Sequence, residues 1–202
     1  MNVCIYGAAS PAIDEIYMRE AEKLGYMLAL RGHSLIFGGG NEGSMGAAAR
    51  GFTRGGGRIT GIAPRFFDKP GVLYEKCTDF IYPDDMRQRK TMLEEMSEAT
   101  IVTPGGIGTY EEFMEILTLK SLGRIDRPIV LFNINGYYDP MVKLLTHTAD
   151  NSFMPHENMD LLLVTDDAER VVDYIENYYC WHLMAFSLTC ESATRLMAGV
   201  LR

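Results

Sequence analysis

The stretch TIVTPGGIGTYEEF, Thr100 to Phe113, reads as a strand, a glycine-rich turn and the opening of a helix. A short apolar run suits the strand, a proline and three glycines punctuate it, and TYEEFMEILTLKSLG continues as the helix. Working outward, the same unit recurs on both sides. Upstream, NVCIYG is a short strand ending in Gly7, and PAIDEIYMREAEKLGYMLALRG predicts a helix starting at Pro11 and closing at Gly32. Its Ile13, Ile16, Tyr17, Leu24 and Leu28 fall at helical spacing. HSLIFGGG is a second strand and GSMGAAARGFTRGG a helix of small residues, while RITGIAP and TDFIYP are further strands. DDMRQRKTMLEEMSEA reads as a helix with Met86, Leu93 and Met96 on its buried side. Downstream follow the strand RPIVLFN, the helix YYDPMVKLLTHTAD, the strand DLLLVTD and the helix DAERVVDYIENYY. Strands that are apolar throughout and alternate with helices imply a parallel sheet covered on both faces. The expected fold is α/β and doubly wound, a single domain over residues 1–179 with a C-terminal extension at 180–202. No internal repeat or linker interrupts it.

Composition narrows the function. The chain has 202 residues, enough for one full core, and 47% hydrophobic with 23% charged residues describes a globular protein rather than a disordered one. A net charge of −8 argues against a nucleic-acid partner, because no basic stripe is available to neutralise phosphates. Small anions need only a local pocket of donors. MNVCIYGAAS has neither the basic start nor the apolar stretch of a signal peptide, and no apolar run reaches membrane-spanning length. Cys4, Cys77, Cys180 and Cys190 lack metal-type pairing and read as reduced thiols, the first two as core filler. A cytoplasmic location with no membrane partner is expected. His33, His147, His156 and His182 are scattered without metal-ligand spacing, so no metal site is expected.

Parallel sheets bind ligands outside the carboxyl ends of their strands. Two strand-to-helix turns there are glycine-rich: GGGNEGSMG, Gly38 to Gly46, and PGGIGT, Pro104 to Thr109. Glycine lets successive amides converge on one oxygen cluster, and the following helix adds unpaired amides and the positive end of its dipole. Together these features make a phosphate site, although neither turn fits the dinucleotide or P-loop fingerprints. Thr109-x-x-Glu112 is also the pattern of a capping box, with Thr109 as N-cap and Glu112 at N3. Beside an anion site, however, a carboxylate is well placed to stabilise positive charge developing on a sugar. Glu111 and Glu112 lie about 100° apart on a helix and cannot serve the same spot. In DDMRQRK, Asp84 to Lys90, the aspartates suit a helix start, and Arg87, Arg89 and Lys90 cannot all face one way. Asp139 is expected to cap the helix beginning near Pro140.

GGGNEGSMG, DDMRQRK and PGGIGTYEEF occur in the order and rough spacing of the Lonely Guy family, which this chain resembles over roughly residues 1 to 178. Pro-Gly-Gly-x-Gly-Thr-x-x-Glu is met from Pro104 to Glu112, Gly-Gly-Gly-x-x-Gly-x-Met-Gly from Gly38 to Gly46, and GIAPR resembles the family's Pro-Arg segment. The family was long labelled lysine decarboxylase-like and is now known as cytokinin riboside 5′-monophosphate phosphoribohydrolases. The resemblance implies a Rossmann-like homodimer that hydrolyses the N-glycosidic bond of a nucleoside 5′-monophosphate to free base and ribose 5-phosphate, without a cofactor. It assigns catalysis to Arg89 and Glu112. Gly105, Gly106, Ile107, Gly108 and Thr109 would hold phosphate, with Gly39, Gly40 and Gly43 on the neighbouring turn and Lys90, Glu111 and Thr118 as further ligand contacts. The helices after DDM and GGIGT would lie near the dimer interface.

The chain also departs from the family. It has YGAASPA where the family usually carries Cys-Gly-Ser-Ser, and RFFDKPGVLYEKC does not align with the family's base-side region. Phe66 and Phe67 there could stack on a base or pack, packing being the expected role. The tail from Cys180 could cover a dimer or be a species-specific addition. Two other function classes stay open: a nucleotide- or cofactor-binding module like the molybdenum-cofactor carrier proteins, and a pyridoxal phosphate decarboxylase. The second needs a Schiff-base lysine, and neither Lys90 nor Lys120 announces one.

Overall fold

In a computed structural model that describes residues 1–178, seven strands form one sheet. In chain order they are β1 (Asn2–Tyr6), β2 (Ser34–Phe37), β3 (Ile59–Ile62), β4 (Asp79–Ile81), β5 (Ala99–Val102), β6 (Ile129–Phe132) and β7 (Leu163–Thr165). The spatial order is β4-β3-β2-β1-β5-β6-β7, and every pairing is parallel. The helices are α1 (Glu15–Leu30), α2 (Gly43–Arg54), α3 (Met86–Glu95), α4 (Ile107–Ser121) and α5 (Asp139–Asp150), and residues 168–178 are helical, here α6. The expected doubly wound α/β architecture is therefore the observed one. The reading of residues 180–202 as an extension lies outside the described residues.

Strand periodicity divides the core into two. Val3, Ile5, Leu35, Phe37, Ile101 and Phe132 meet Leu24 and Leu28 of α1, Phe52 of α2 and Val171 and Ile175 of α6 on one face. Cys4, Tyr6, Ile36, Val102 and Leu131 point to the other face, against Leu93 of α3, Phe113 and Ile116 of α4 and Leu145 of α5. Small residues bring α1 and α2 unusually close: a β-carbon on Gly25 would sit 2.3 Å from the Ala48 carbonyl oxygen. Cys4 is fully buried and Cys77 half-buried, and burial pushes their thiols up to about 12 and about 11, so both are inert at neutral pH.

Local starts differ from expectation in three places. Helix α1 begins at Glu15 rather than Pro11, because the Asp14 carboxylate accepts from the Ile16 amide at 3.0 Å and caps it there. Asp139 is the first residue of α5 and not its cap; its carboxylate instead accepts from the Asn133 side chain at 2.8 Å. Leu93 is buried under α3 and Met96 partly so, but Met86 lies in the exposed first turn of that helix. Among the described residues no helix is long and apolar enough to cross a membrane.

Candidate active site

The strand order reverses at β1, with β2 on one side and β5 on the other, so the chains leaving β1 and β5 part company at the carboxyl edge. A cavity of about 460 Å³ opens there. Gly7, Ala8 and Ala9 line it from the turn after β1, and Gly38, Gly40, Asn41, Glu42 and Met45 from the turn after β2 into α2. Phe67, Gly71, Val72 and Leu73 wall it from the segment after β3. Arg89 of α3 and Gly106, Gly108, Thr109 and Glu112 of α4 complete it.

Buried hydroxyls hold the base of this cavity. The Ala8 amide donates to Ser44 Oγ at 2.9 Å, Ser44 Oγ donates to the Pro104 carbonyl at 3.0 Å, and Thr103 Oγ1 lies 3.0 Å from Ser44 Oγ. The three turns leaving β1, β2 and β5 are thereby tied to one another. Gly43 opens α2 with φ +65°, and a β-carbon there would fall 2.3 Å from the Ala8 carbonyl oxygen, so only glycine fits beneath that turn.

At the cavity wall, Arg89 Nη1 lies 2.9 Å from Glu112 Oε1, with side chains only 12% and 10% exposed. Arg89 Nε also donates to the Ile62 carbonyl at 3.2 Å, which fixes the guanidinium plane. Burial raises the Glu112 carboxyl above its ordinary range, and the Arg89 charge and hydrogen bond pull the other way. Such a carboxylate sits in a desolvated wall with the Arg89 guanidinium as its hydrogen-bonded counter-charge. The capping-box pattern does not explain it. Helix α4 starts at Ile107 with Gly106 as N-cap, so Thr109 lies inside the first turn and Glu112 beyond it, engaged with Arg89 instead.

Other residues singled out in the sequence are placed apart. Lys90 does not line the cavity and pairs with Glu111 at 2.6 Å and Glu115 at 3.1 Å. Thr118 is exposed, its hydroxyl donating to the Met114 carbonyl at 2.7 Å. Ile107 is 86% exposed. Gly105 is buried against the Thr109 side chain, and Gly39, with φ +77°, against Phe80. Phe66 and Phe67 do not pack inside; both rings are exposed, 4.5 Å apart, and Phe67 lines the cavity. Sequence reasoning passed over Glu42, Met45, Val72 and Leu73. The bridge between Gly40 and Leu73, with the Asn41 amide donating to the Val72 carbonyl at 2.9 Å and the Tyr74 amide to the Gly39 carbonyl at 2.8 Å, brings that wall to the glycine turn.

The cavity does not suit pyridoxal phosphate. Among the described residues no lysine lines it: Lys90 is engaged outside, and Lys120 is buried at the far end of α4, donating to the Arg127 carbonyl at 2.8 Å. No three His, Cys, Asp or Glu side chains cluster as metal ligands among the described residues.

A family described as "Possible lysine decarboxylase" matches residues 45–175. The chain is 33% identical over 177 residues to a cytokinin riboside 5′-monophosphate phosphoribohydrolase of Rhodococcoides fascians, covering 87% of this chain and 89% of that one. It is 29% identical over 181 residues to a probable cytokinin riboside 5′-monophosphate phosphoribohydrolase of Oryza sativa subsp. japonica, covering 90% and 74%. An Arabidopsis thaliana cytokinin riboside 5′-monophosphate phosphoribohydrolase is 28% identical over 195 residues, covering 96% and 91%. Among solved structures, the molybdenum cofactor carrier protein of Chlamydomonas reinhardtii aligns with a TM-score of 0.68 at 20% identity, covering 89% of this chain and 98% of that one. At that identity the likeness speaks for the fold alone.

Proposed function

We propose that this chain, which belongs to the Lonely Guy family of phosphoribohydrolases and is a hydrolase of that class, cleaves adenosine 5′-monophosphate or an N6-modified relative to free base and ribose 5-phosphate. The observation that carries this reading is the buried Arg89–Glu112 pair in the cavity wall, one helical turn from the glycine turn. The 5′-phosphate rests on the amides of Gly106, Ile107, Gly108 and Thr109 at the start of α4, where unpaired donors and the helix dipole favour an anion. The sugar then lies beside Glu112. As the glycosidic bond breaks, its electron pair leaves with the base and positive charge builds at C1′. The Glu112 carboxylate stabilises that charge and orients the water that adds to C1′. One proton of this water ends on the departing base. Arg89 keeps Glu112 ionised against its burial and holds it in place.

The apolar wall of Phe67, Val72, Leu73 and Met45 is suited to the face of a base or an alkyl group on it. A binding module without turnover is the competing reading, and it has no use for an ion pair buried in the cavity wall. We also expect a homodimer. Light scattering that gives a monomer mass at working concentration would contradict this. The decisive assay follows base release by chromatography from adenosine 5′-monophosphate and its N6-isopentenyl derivative, beside Glu112→Ala. Release by the native chain and loss in the variant support the hydrolase; nucleotide binding without release refutes it.

A further inference from the structure

Three successive carbonyls of the turn after β5 are each captured from the protein interior. Tyr138 Oη donates to the Thr103 carbonyl at 2.8 Å and Ser44 Oγ to that of Pro104 at 3.0 Å. Tyr137 Oη donates to the Gly105 carbonyl at 2.7 Å. In a planar trans peptide the carbonyl and the next amide point in opposite directions, and no peptide here is cis. Whatever captures the Gly105 carbonyl therefore also aims the Gly106 amide the other way, and Gly106 lines the cavity. This peptide lies between two glycines, the pair least able to hold its own orientation. Flipped, it would present a carbonyl oxygen to an incoming anion in place of a donor.

The donor is itself held. Tyr110 Oη lies 2.9 Å from Tyr137 Oη, and since Tyr137 gives its proton to Gly105, Tyr110 donates to Tyr137. The Tyr137 ring also stands edge-on to Tyr17 and Tyr138, with centroids 5.7 Å and 5.0 Å away. Burial and the Tyr110 contact push its hydroxyl up to about 12, so it remains a donor at any working pH.

We propose that Tyr137 is a positioning residue for the substrate phosphate: its hydroxyl locks the Gly105–Gly106 peptide with the amide facing the cavity. This deepens the reading above, since it rests on the α4 turn taking the 5′-phosphate.

The test compares the native chain, Tyr137→Phe and Tyr110→Phe. Calorimetry gives the affinity for inorganic phosphate and ribose 5-phosphate, kinetics on adenosine 5′-monophosphate give kcat and KM, and a melt checks folding. Losing the lock weakens phosphate binding and raises KM about tenfold, the scale of one buried hydrogen bond, with kcat within about threefold. Tyr110→Phe leaves the bond to Gly105 in place and changes affinity by less than about twofold. Unchanged phosphate affinity in Tyr137→Phe overturns the proposal, as does an equal loss in both variants, which would mean lost packing. A second readout needs no variant: in native protein carrying 15N-glycine, phosphate shifts the Gly106 amide proton downfield, and an unmoved Gly106 signal overturns the assignment. Phosphate binding without base release would sink the hydrolase reading and leave this one standing. Base release with Tyr137→Phe binding phosphate normally would sink this one alone.

Discussion

Gly38→Ala displaces the Arg89 guanidinium, with a lesser push on the Met45 sulfur. Gly38 follows β2 in the cavity wall, and a β-carbon built on it would lie 2.2 Å from Arg89 Nη2 and 3.3 Å from Cζ. Its φ is not among the positive values, so alanine adopts the backbone without strain. The clash is with the far end of Arg89 and, at 3.1 Å, with the Met45 sulfur, both on flexible side chains that yield more readily than backbone. Reaching an ordinary contact near 3.4 Å requires the guanidinium to retreat about 1.2 Å. The 2.9 Å bond to Glu112 has only about 0.6 Å of slack before it ceases to be a hydrogen bond. A displacement of about 1 Å in a catalytic group is enough to cost on the order of 10²-fold in rate. We therefore expect kcat for base release to fall about 10²-fold, with the melting temperature within a few degrees of the native value. The variant also leaves Glu112 buried with a weaker counter-charge, so the acid limb of its kcat/KM profile moves to higher pH than in the native enzyme. A folded Gly38→Ala enzyme with kcat within about threefold of native, and an unmoved acid limb, would refute the role given to Arg89.

The remaining expectations probe the other walls. Gly106→Ala adds a methyl group that meets no protein atom within 4 Å, so the fold is kept while KM for the monophosphate rises; unchanged KM would remove the phosphate from this turn. Glu112→Gln keeps the shape of the side chain but not its charge, and kcat should fall 10²- to 10⁴-fold; a smaller loss would leave the carboxylate a bystander. In the native enzyme kcat/KM falls as pH drops and Glu112 takes up a proton. Burial raises that pKa, so the midpoint should lie above the ordinary glutamate value of 4.5, and a midpoint below it would contradict the burial argument. Ser44→Ala leaves the Ala8 amide its 3.1 Å bond to the Pro104 carbonyl but removes the hydroxyl that ties three turns, at a cost of about 0.5–1.5 kcal/mol in chemical unfolding, and no measurable cost would discount the hydroxyl network.

What the sequence disclosed, and what it hid, follows the range of the forces involved. Strands with apolar residues on both faces, and glycines at the exits of β2 and β5, are local signals, and they led to the doubly wound sheet and its carboxyl edge. The pattern Thr109-x-x-Glu112 is equally local, and there it misled. Helix α4 begins at Ile107, and Glu112 is claimed by Arg89, 23 residues away in sequence, through an ion pair that no spacing rule encodes. The family resemblance, not the periodicity, links those two residues. The same limit explains the apolar wall, which reaches the glycine turn through the bridge from Gly40 to Leu73, across 33 residues of sequence. It explains Tyr137 as well: the segment YYDP signals only a helix start, yet the tyrosine hydroxyl finds the Gly105 carbonyl across 32 residues. Helix α4's first turn exposes Gly106, Ile107 and Gly108 to solvent while Gly105 beneath them is buried, so the donors at this turn are oriented from below. A glycine turn supplies the freedom to face an anion, but the groups that remove the wrong orientations come from strands and helices elsewhere in the chain.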